Sequence, residues 1–269
     1  MNQSIRCFPL FGFLCFALIA CDEKGTGPAT GPDAFLSGLK PGDSRLLLKE
    51  LKAQGRTYGY DLYSLAEIRI DKDTVIEGAP AKEFTITATE LMPDSSHVYV
   101  ERNYLVAQGD SLNLYRDKEG NSGFLFGLTK RSAYDTTRFS DRTTEWIFPL
   151  VAGATWRTRP EGGKGWSLKK EWTGKENLAF DGRDVACDVF VLHSVVDLKS
   201  WIASFGLVKA EIAYGPDVFT DSLGNDVDTA QAEFERYELL KLNPTPTGVA
   251  DAKSKFRALS WSKMPATGR

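Results

Sequence analysis

Phe84-Thr85-Ile86-Thr87-Ala88-Thr89 decides the fold class of this chain. Apolar and β-branched polar residues alternate along it, as they do in a strand with one face on a core and one toward water. Upstream, Tyr60–Ile70 reads as a strand ending at the turn-like Asp71-Lys72-Asp73. Leu46-Leu47-Leu48-Lys49-Glu50-Leu51 fits a strand or a short helix, because Leu47, Leu48 and Leu51 fall at i, i+1 and i+4. Downstream candidates are Val98–Ala107, Ser111–Arg116 and Phe124–Leu128, set apart by Gln108-Gly109-Asp110 and Lys118-Glu119-Gly120-Asn121. The second half continues with Thr144–Val151, Ala154–Thr158, Trp166–Trp172, Val185–Val196, Leu207–Tyr214 and Ala232–Leu242. Val185–Val196 is apolar at nearly every position, which predicts burial on both faces. Short strands punctuated by Gly, Asp and Asn turns predict a mainly β protein. The expected architecture is an antiparallel curved sheet, half-barrel or sandwich with little helix. It spans residues 39–242, as one unit or as two similar halves, about 39–128 and 129–242.

The ends of the chain differ from this body. Residues 1–20 read as an export signal: Arg6 precedes an apolar run from Cys7 to Ala20. That run covers only ~21 Å as a helix, short of a ~30 Å hydrocarbon core. It ends in Leu18-Ile19-Ala20-Cys21, which resembles the lipobox of bacterial lipoproteins at all four positions. The resemblance implies cleavage between Ala20 and Cys21, a diacylglycerol on the Cys21 sulfur and acylation of the new amino terminus. Two or more chains give stable anchoring where one does not. Asp22-Glu23-Lys24 resembles an inner-membrane retention signal of some bacteria and a surface-export signal of others, so the expectation is the cell envelope with the leaflet open. Residues 21–38, rich in Gly, Pro, Ala, Thr and Asp, read as a flexible linker, and 243–269 as a Pro-containing basic tail whose Phe256 and Trp261 can dock on the domain.

Composition narrows the partners. The chain is 42% hydrophobic and 26% charged, ordinary for a globular protein. Residues 22–242 carry 27 Lys/Arg against 35 Asp/Glu, and an acidic body argues against nucleic acid as a partner. Once Cys7 and Cys15 leave with the signal and Cys21 is acylated, Cys187 is the remaining thiol, so stability is expected from packing rather than a disulfide.

A second resemblance covers about 145–214. Phe148-Pro149-Leu150-x-x-Gly153-x-x-Trp156, Gly182 ahead of an apolar strand with Cys187, and Phe205-Gly206-Leu207-Val208-Lys209 are similar to segments of uncharacterised envelope lipoproteins. Ser204 stands where that group has the first glycine of Gly-x-Gly-x-Val-Lys. The resemblance implies a curved antiparallel sheet, like that of lipoprotein carriers, and brings no catalytic residues.

Chemistry-bearing residues are sparse. His97 and His193 are the two histidines, with Ser95-Ser96 and Ser194 beside them, but no Gly-x-Ser-x-Gly elbow accompanies either. Cys187 and His193 on one strand face stand ~20 Å apart, too far for direct thiolate activation. Asp221, Asn225, Asp226 and Asp228 are weak metal candidates: they offer oxygen to calcium but lack EF-hand spacing and its closing glutamate. Gly162-Gly163-Lys164-Gly165 lacks the spacing of a phosphate loop and reads as a hairpin turn. Trp146, Trp156, Trp166, Trp172 and Trp201 can form a core or, if exposed, a sugar-stacking platform. No catalytic residue and no cofactor is assigned. The expectation is a non-catalytic, lipid-anchored binding or structural module that holds an apolar or amphiphilic ligand or an envelope partner protein. The alternatives are a carbohydrate-binding accessory lipoprotein and, third, a hydrolase.

Overall fold

A computed structural model describes residues 31–92, 96–117, 139–151, 153–158, 168–193, 197–214, 218–220, 223, 225–229 and 233–263. The signal, Ala20, Cys21, the strand expected at Phe124–Leu128, the turn at Gly162–Gly165, Trp166 and Asp221 lie outside the described residues.

Alternation becomes burial in β3 (Ala79–Leu91), where Phe84, Ile86 and Ala88 enter the main core on one face. This strand belongs to a meander of β1 (Ser44–Gln54), β2 (Gly59–Ile76), β3, β4 (Ser96–Gln108), β5 (Ser111–Asp117) and β6 (Phe139–Ile147), each antiparallel to the next. A second meander joins β7 (Thr155–Arg157), β8 (Lys169–Phe180), β9 (Arg183–His193), β10 (Leu198–Ala203), β11 (Gly206–Tyr214) and β14 (Glu233–Leu242). The hairpin of β12 (Val218–Thr220) and β13 (Asp226–Thr229) sits in the β11–β14 connection. β1 pairs with β14, giving one sheet in the order β6-β5-β4-β3-β2-β1-β14-β11-β10-β9-β8-β7.

The outermost strands of that order come together. Thr144 N–H in β6 donates to Thr158 O just past β7 at 2.8 Å. The sheet is therefore a nearly closed antiparallel barrel, and the main core is its interior. Alternation of direction gathers the β2–β3, β4–β5, β8–β9 and β10–β11 turns at one end. The β1–β2 turn lies at the other.

Leu46–Leu51 is a strand. Leu47 faces the main core while Leu46 and Leu48 join a cluster on the opposite face, so burial on both sides removes the alternating signal. β9 behaves as its apolar run predicts: Phe190 lies in the main core, and Val185, Cys187 and Val189 in a cluster on the other face.

Three expectations are corrected. The first strand pair does not turn at Asp71–Asp73; β2 continues past a bulge to Ile76 and turns at Glu77-Gly78, both at positive φ. The aspartates are accommodated by partners, Asp71 by Arg69 and Thr85 and Asp73 by Lys82. Residues 21–38 are not all linker, because α1 (Pro32–Ser37) buries Phe35 and Leu36 in the main core. A six-residue helix is not stable alone, so this packing holds it. Within the tail, residues 243–263 are also structured, with α2 (Pro246–Leu259) and β15 (Trp261–Lys263). The proline and glycine of the tail's opening stretch form the start of α2: Thr245 caps Gly248 N–H at 3.1 Å and Pro246 opens the first turn. Val249, Ala252 and Phe256 lie at helical spacing and pack on the Leu46–Leu48–Leu65–Leu91 cluster. β15 then pairs with the start of β2.

Candidate functional site

The interior is aromatic. Trp146 stacks on Phe190 with centroids 5.5 Å apart, and Trp156 meets Phe190 edge-on at 6.1 Å. α1 adds Phe35, whose ring stands edge-on to Trp146 at 4.3 Å. A Cβ on Gly38, just past α1, would lie 3.2 Å from Ser204 O in the β10–β11 turn. The helix therefore covers the barrel end where the β10–β11 turn and the end of β6 meet. Beneath it a cavity of about 10 Å³ is lined by Phe35, Trp146, Phe148, Asp188, Phe190 and Ile202. It has room for about one water molecule, so Phe35 fills the end of the barrel.

Two polar groups reach inward at this end, Asp188 half-buried and Arg45 buried. Asp188 accepts Trp172 Nε1–H at 3.1 Å. Burial pushes its carboxyl above the ordinary value, against that hydrogen bond and Lys175. Arg45, in register with Leu47, donates its Nε–H to Phe205 O. Burial lowers its pKa, with Asp43 opposing. Gly206, at φ +118, leaves out a side chain whose Cβ would stand 3.2 Å from Arg45 Nε.

The barrel's seam carries its own charge pair. Lys170 Nζ and Glu145 Oε2 are 2.8 Å apart, and Trp156 Nε1–H donates to Thr144 O at 3.3 Å. Burial opposes ionisation of Glu145, but Lys170 and the Thr143 hydroxyl overcome it and leave its carboxyl below the ordinary value. This pair joins strands that share almost no backbone ladder.

The residues singled out in the sequence do not converge. His97 is on β4, and His193 on β9 is held between Asp197 at 3.2 Å and Glu171 at 3.1 Å. Cys187 is buried with Val185, Val189 and Trp201, and burial, then Asp188 and Glu176, pushes its thiol up to about 11. It is a packing residue with little thiolate at neutral pH.

Asp228 serves the opposite end of the barrel. Its Oδ2 accepts Thr57 N–H at 2.6 Å and Tyr58 N–H at 2.9 Å, and its Oδ1 accepts Thr229 N–H at 2.9 Å. Those backbone bonds hold its carboxyl down to about 2. Its oxygens are thus spent on backbone N–H groups of the β1–β2 turn and of Thr229, while Asn225 and Asp226 are exposed on the hairpin, and no metal cluster forms among the described residues. Trp146, Trp156, Trp172 and Trp201 are all buried, whereas Trp261 is 42% exposed. Phe35, Arg45, Asp188 and the Glu145–Lys170 pair were not singled out by sequence. A charged residue opening a leucine run was the one available signal, at Arg45.

No protein-family model matches the chain. No curated protein matches it either. Among solved structures it is similar to a Bacteroides fragilis protein of inferred export with a YmcC-like fold, at 12% identity and a TM-score of 0.31. The match covers 77% of this chain and 97% of that one. At that TM-score the likeness carries no argument, and the fold stands on the sheet itself.

Proposed function

We propose that this chain is an exported lipoprotein, anchored in the cell envelope through Cys21, whose barrel holds an apolar or amphiphilic molecule without catalysis. One observation carries the proposal. The aromatic interior is closed at one end by a six-residue helix set against the β10–β11 turn, and that helix contributes Phe35 as its filling. A ligand enters by taking the place of Phe35 against Trp146 and Phe190. The tether fits the same picture, since α1 begins eleven positions after Cys21.

The competing readings draw less support. A sugar-stacking platform needs a row of exposed rings, and the four tryptophans of β6 to β10 are turned into cores. Among the described residues neither histidine is hydrogen-bonded to a hydroxyl or thiol. An envelope protein remains the alternative occupant.

The test uses the processed chain from position 21 carrying Cys21→Ser, titrated with the neutral fluorophore N-phenyl-1-naphthylamine. Saturable enhancement is expected, and stronger enhancement in Phe35→Ala, which vacates the site. No saturable binding by either protein rules out the ligand reading. In the native host, an alkyne fatty acid is expected to label the wild type and not Cys21→Ser; an unlabelled wild type removes the tether.

A further inference from the structure

Among the described residues, two side-chain donors are sealed inside the α1 end with no hydrogen-bond partner: Arg45 Nη1 and Trp146 Nε1. Arg45 opens β1 beside the β10–β11 turn, and Trp146 closes β6 against α1, so strand direction places both at this end. Arg45 is 4% exposed, and no carboxylate among the described residues is within ion-pair distance of it. Its single bond, from Nε to Phe205 O, uses one of five N–H groups. Burying an unpaired guanidinium is among the most costly arrangements in a fold, and the 204–206 turn is shaped around it rather than neutralising it. The third orphaned atom, Asp61 Oδ1, differs: its carboxylate is at the opposite end and pairs with Lys52 through Oδ2 at 3.3 Å.

We infer that Arg45 is the receptor for an oxyanion, a carboxylate or phosphate, carried as the head group of an amphiphile whose apolar chain lies against Trp146, Phe148 and Phe190. The inference rests on the function proposed above and names its ligand class. A guanidinium presents paired N–H donors that match two oxygens of such a head group. Asp188, in the cavity wall, repels an anion, so the head stays at Arg45 and the tail occupies the aromatic side. The donors are closed off from solvent in this state, and α1 must move for the head group to reach Arg45.

Laurate, its neutral counterpart dodecanol, and sodium phosphate are compared as displacers of the fluorophore and in thermal shift, using the processed Cys21→Ser chain. The wild type is expected to bind laurate on the order of ten-fold more tightly than dodecanol. Arg45→Gln is expected to abolish that preference while dodecanol affinity stays, and Arg45→Lys to keep part of it. Equal affinity for laurate and dodecanol in the wild type overturns the role of Arg45 and leaves the proposed function standing. Failure of both to bind overturns the proposed function itself. Saturable stabilisation by phosphate alone, lost in Arg45→Gln, supports the anion site and overturns the amphiphile as its source. Should the variants not fold, the wild-type preference decides.

Discussion

The two ends of the barrel are closed by different physics. At the α1 end the seal is apolar: Phe35 and Leu36 are pressed into an aromatic interior, and the buried donors there are left without partners. At the other end a polar latch accompanies the aromatic packing: Asp228 gathers backbone N–H groups of the β1–β2 turn, beside Phe219 of β12, whose ring lies 6.3 Å from those of Tyr58 and Tyr60. One end keeps unspent donors on β1 and β6 behind an apolar cover. At the other, Asp228 is spent on holding a turn and Asp61 is paired with Lys52 through one oxygen. The proposed binding site is at the first, and the comparison can be broken or sharpened by damaging each end in turn.

The largest effect is expected at the apolar seal. Phe35→Ala should cost about 4 kcal/mol in urea unfolding, as for other buried phenylalanines. A negligible loss would mean that α1 is not part of the folded unit. Next comes the wall that both ends share: Lys170→Ala leaves Glu145 without its cation and should cost about 3 kcal/mol. This is the lower edge for such pairs because the Glu145 side chain keeps 23% exposure. At the polar end, Gly55→Ala puts a Cβ 2.6 Å from Asp228 Oδ2 and should cost about 2 kcal/mol by forcing the latch apart.

A smaller effect, with a pH signature, is expected from Asp228→Asn. The folded carboxyl titrates at about 2, below the ~4 of an unfolded aspartate, so its contribution is present above pH ~4 and lost as pH falls toward 2. Stability curves of wild type and variant should converge at pH 2 and separate above pH 4; parallel curves would deny the latch. The smallest effect should come from Thr245→Ala at the exposed start of α2, about 0.5–1 kcal/mol from one lost cap bond. A loss as large as that of Phe35→Ala would show α2 to be as integral to the barrel as α1.

Legibility followed the range over which each signal acts. Alternation along Phe84–Thr89 and the unbroken apolar run of β9 are local, and both marked strands. Leu46-Leu47-Leu48 was ambiguous because α2 covers one face of β1 and the barrel interior the other, a circumstance set by residues two hundred positions away. α1 was illegible since six residues carry no period and Phe35-Leu36 stands in a Gly- and Pro-rich context. In Asn243–Gly248 the same residue types both end a strand and cap a helix. The candidate site was the least readable part. Arg45 acquires its meaning from the carbonyl of Phe205, 160 residues further on, and from partners that the fold withholds.

The most direct test of a ligand-holding barrel is native mass spectrometry of the full processed protein, released from the envelope of its own host. A retained mass beyond that of the chain with its proposed acyl groups is expected, an anionic amphiphile at one copy per chain that is lost in Arg45→Gln. A single mass equal to the acylated chain, in wild type and variant alike, would contradict a ligand-holding barrel.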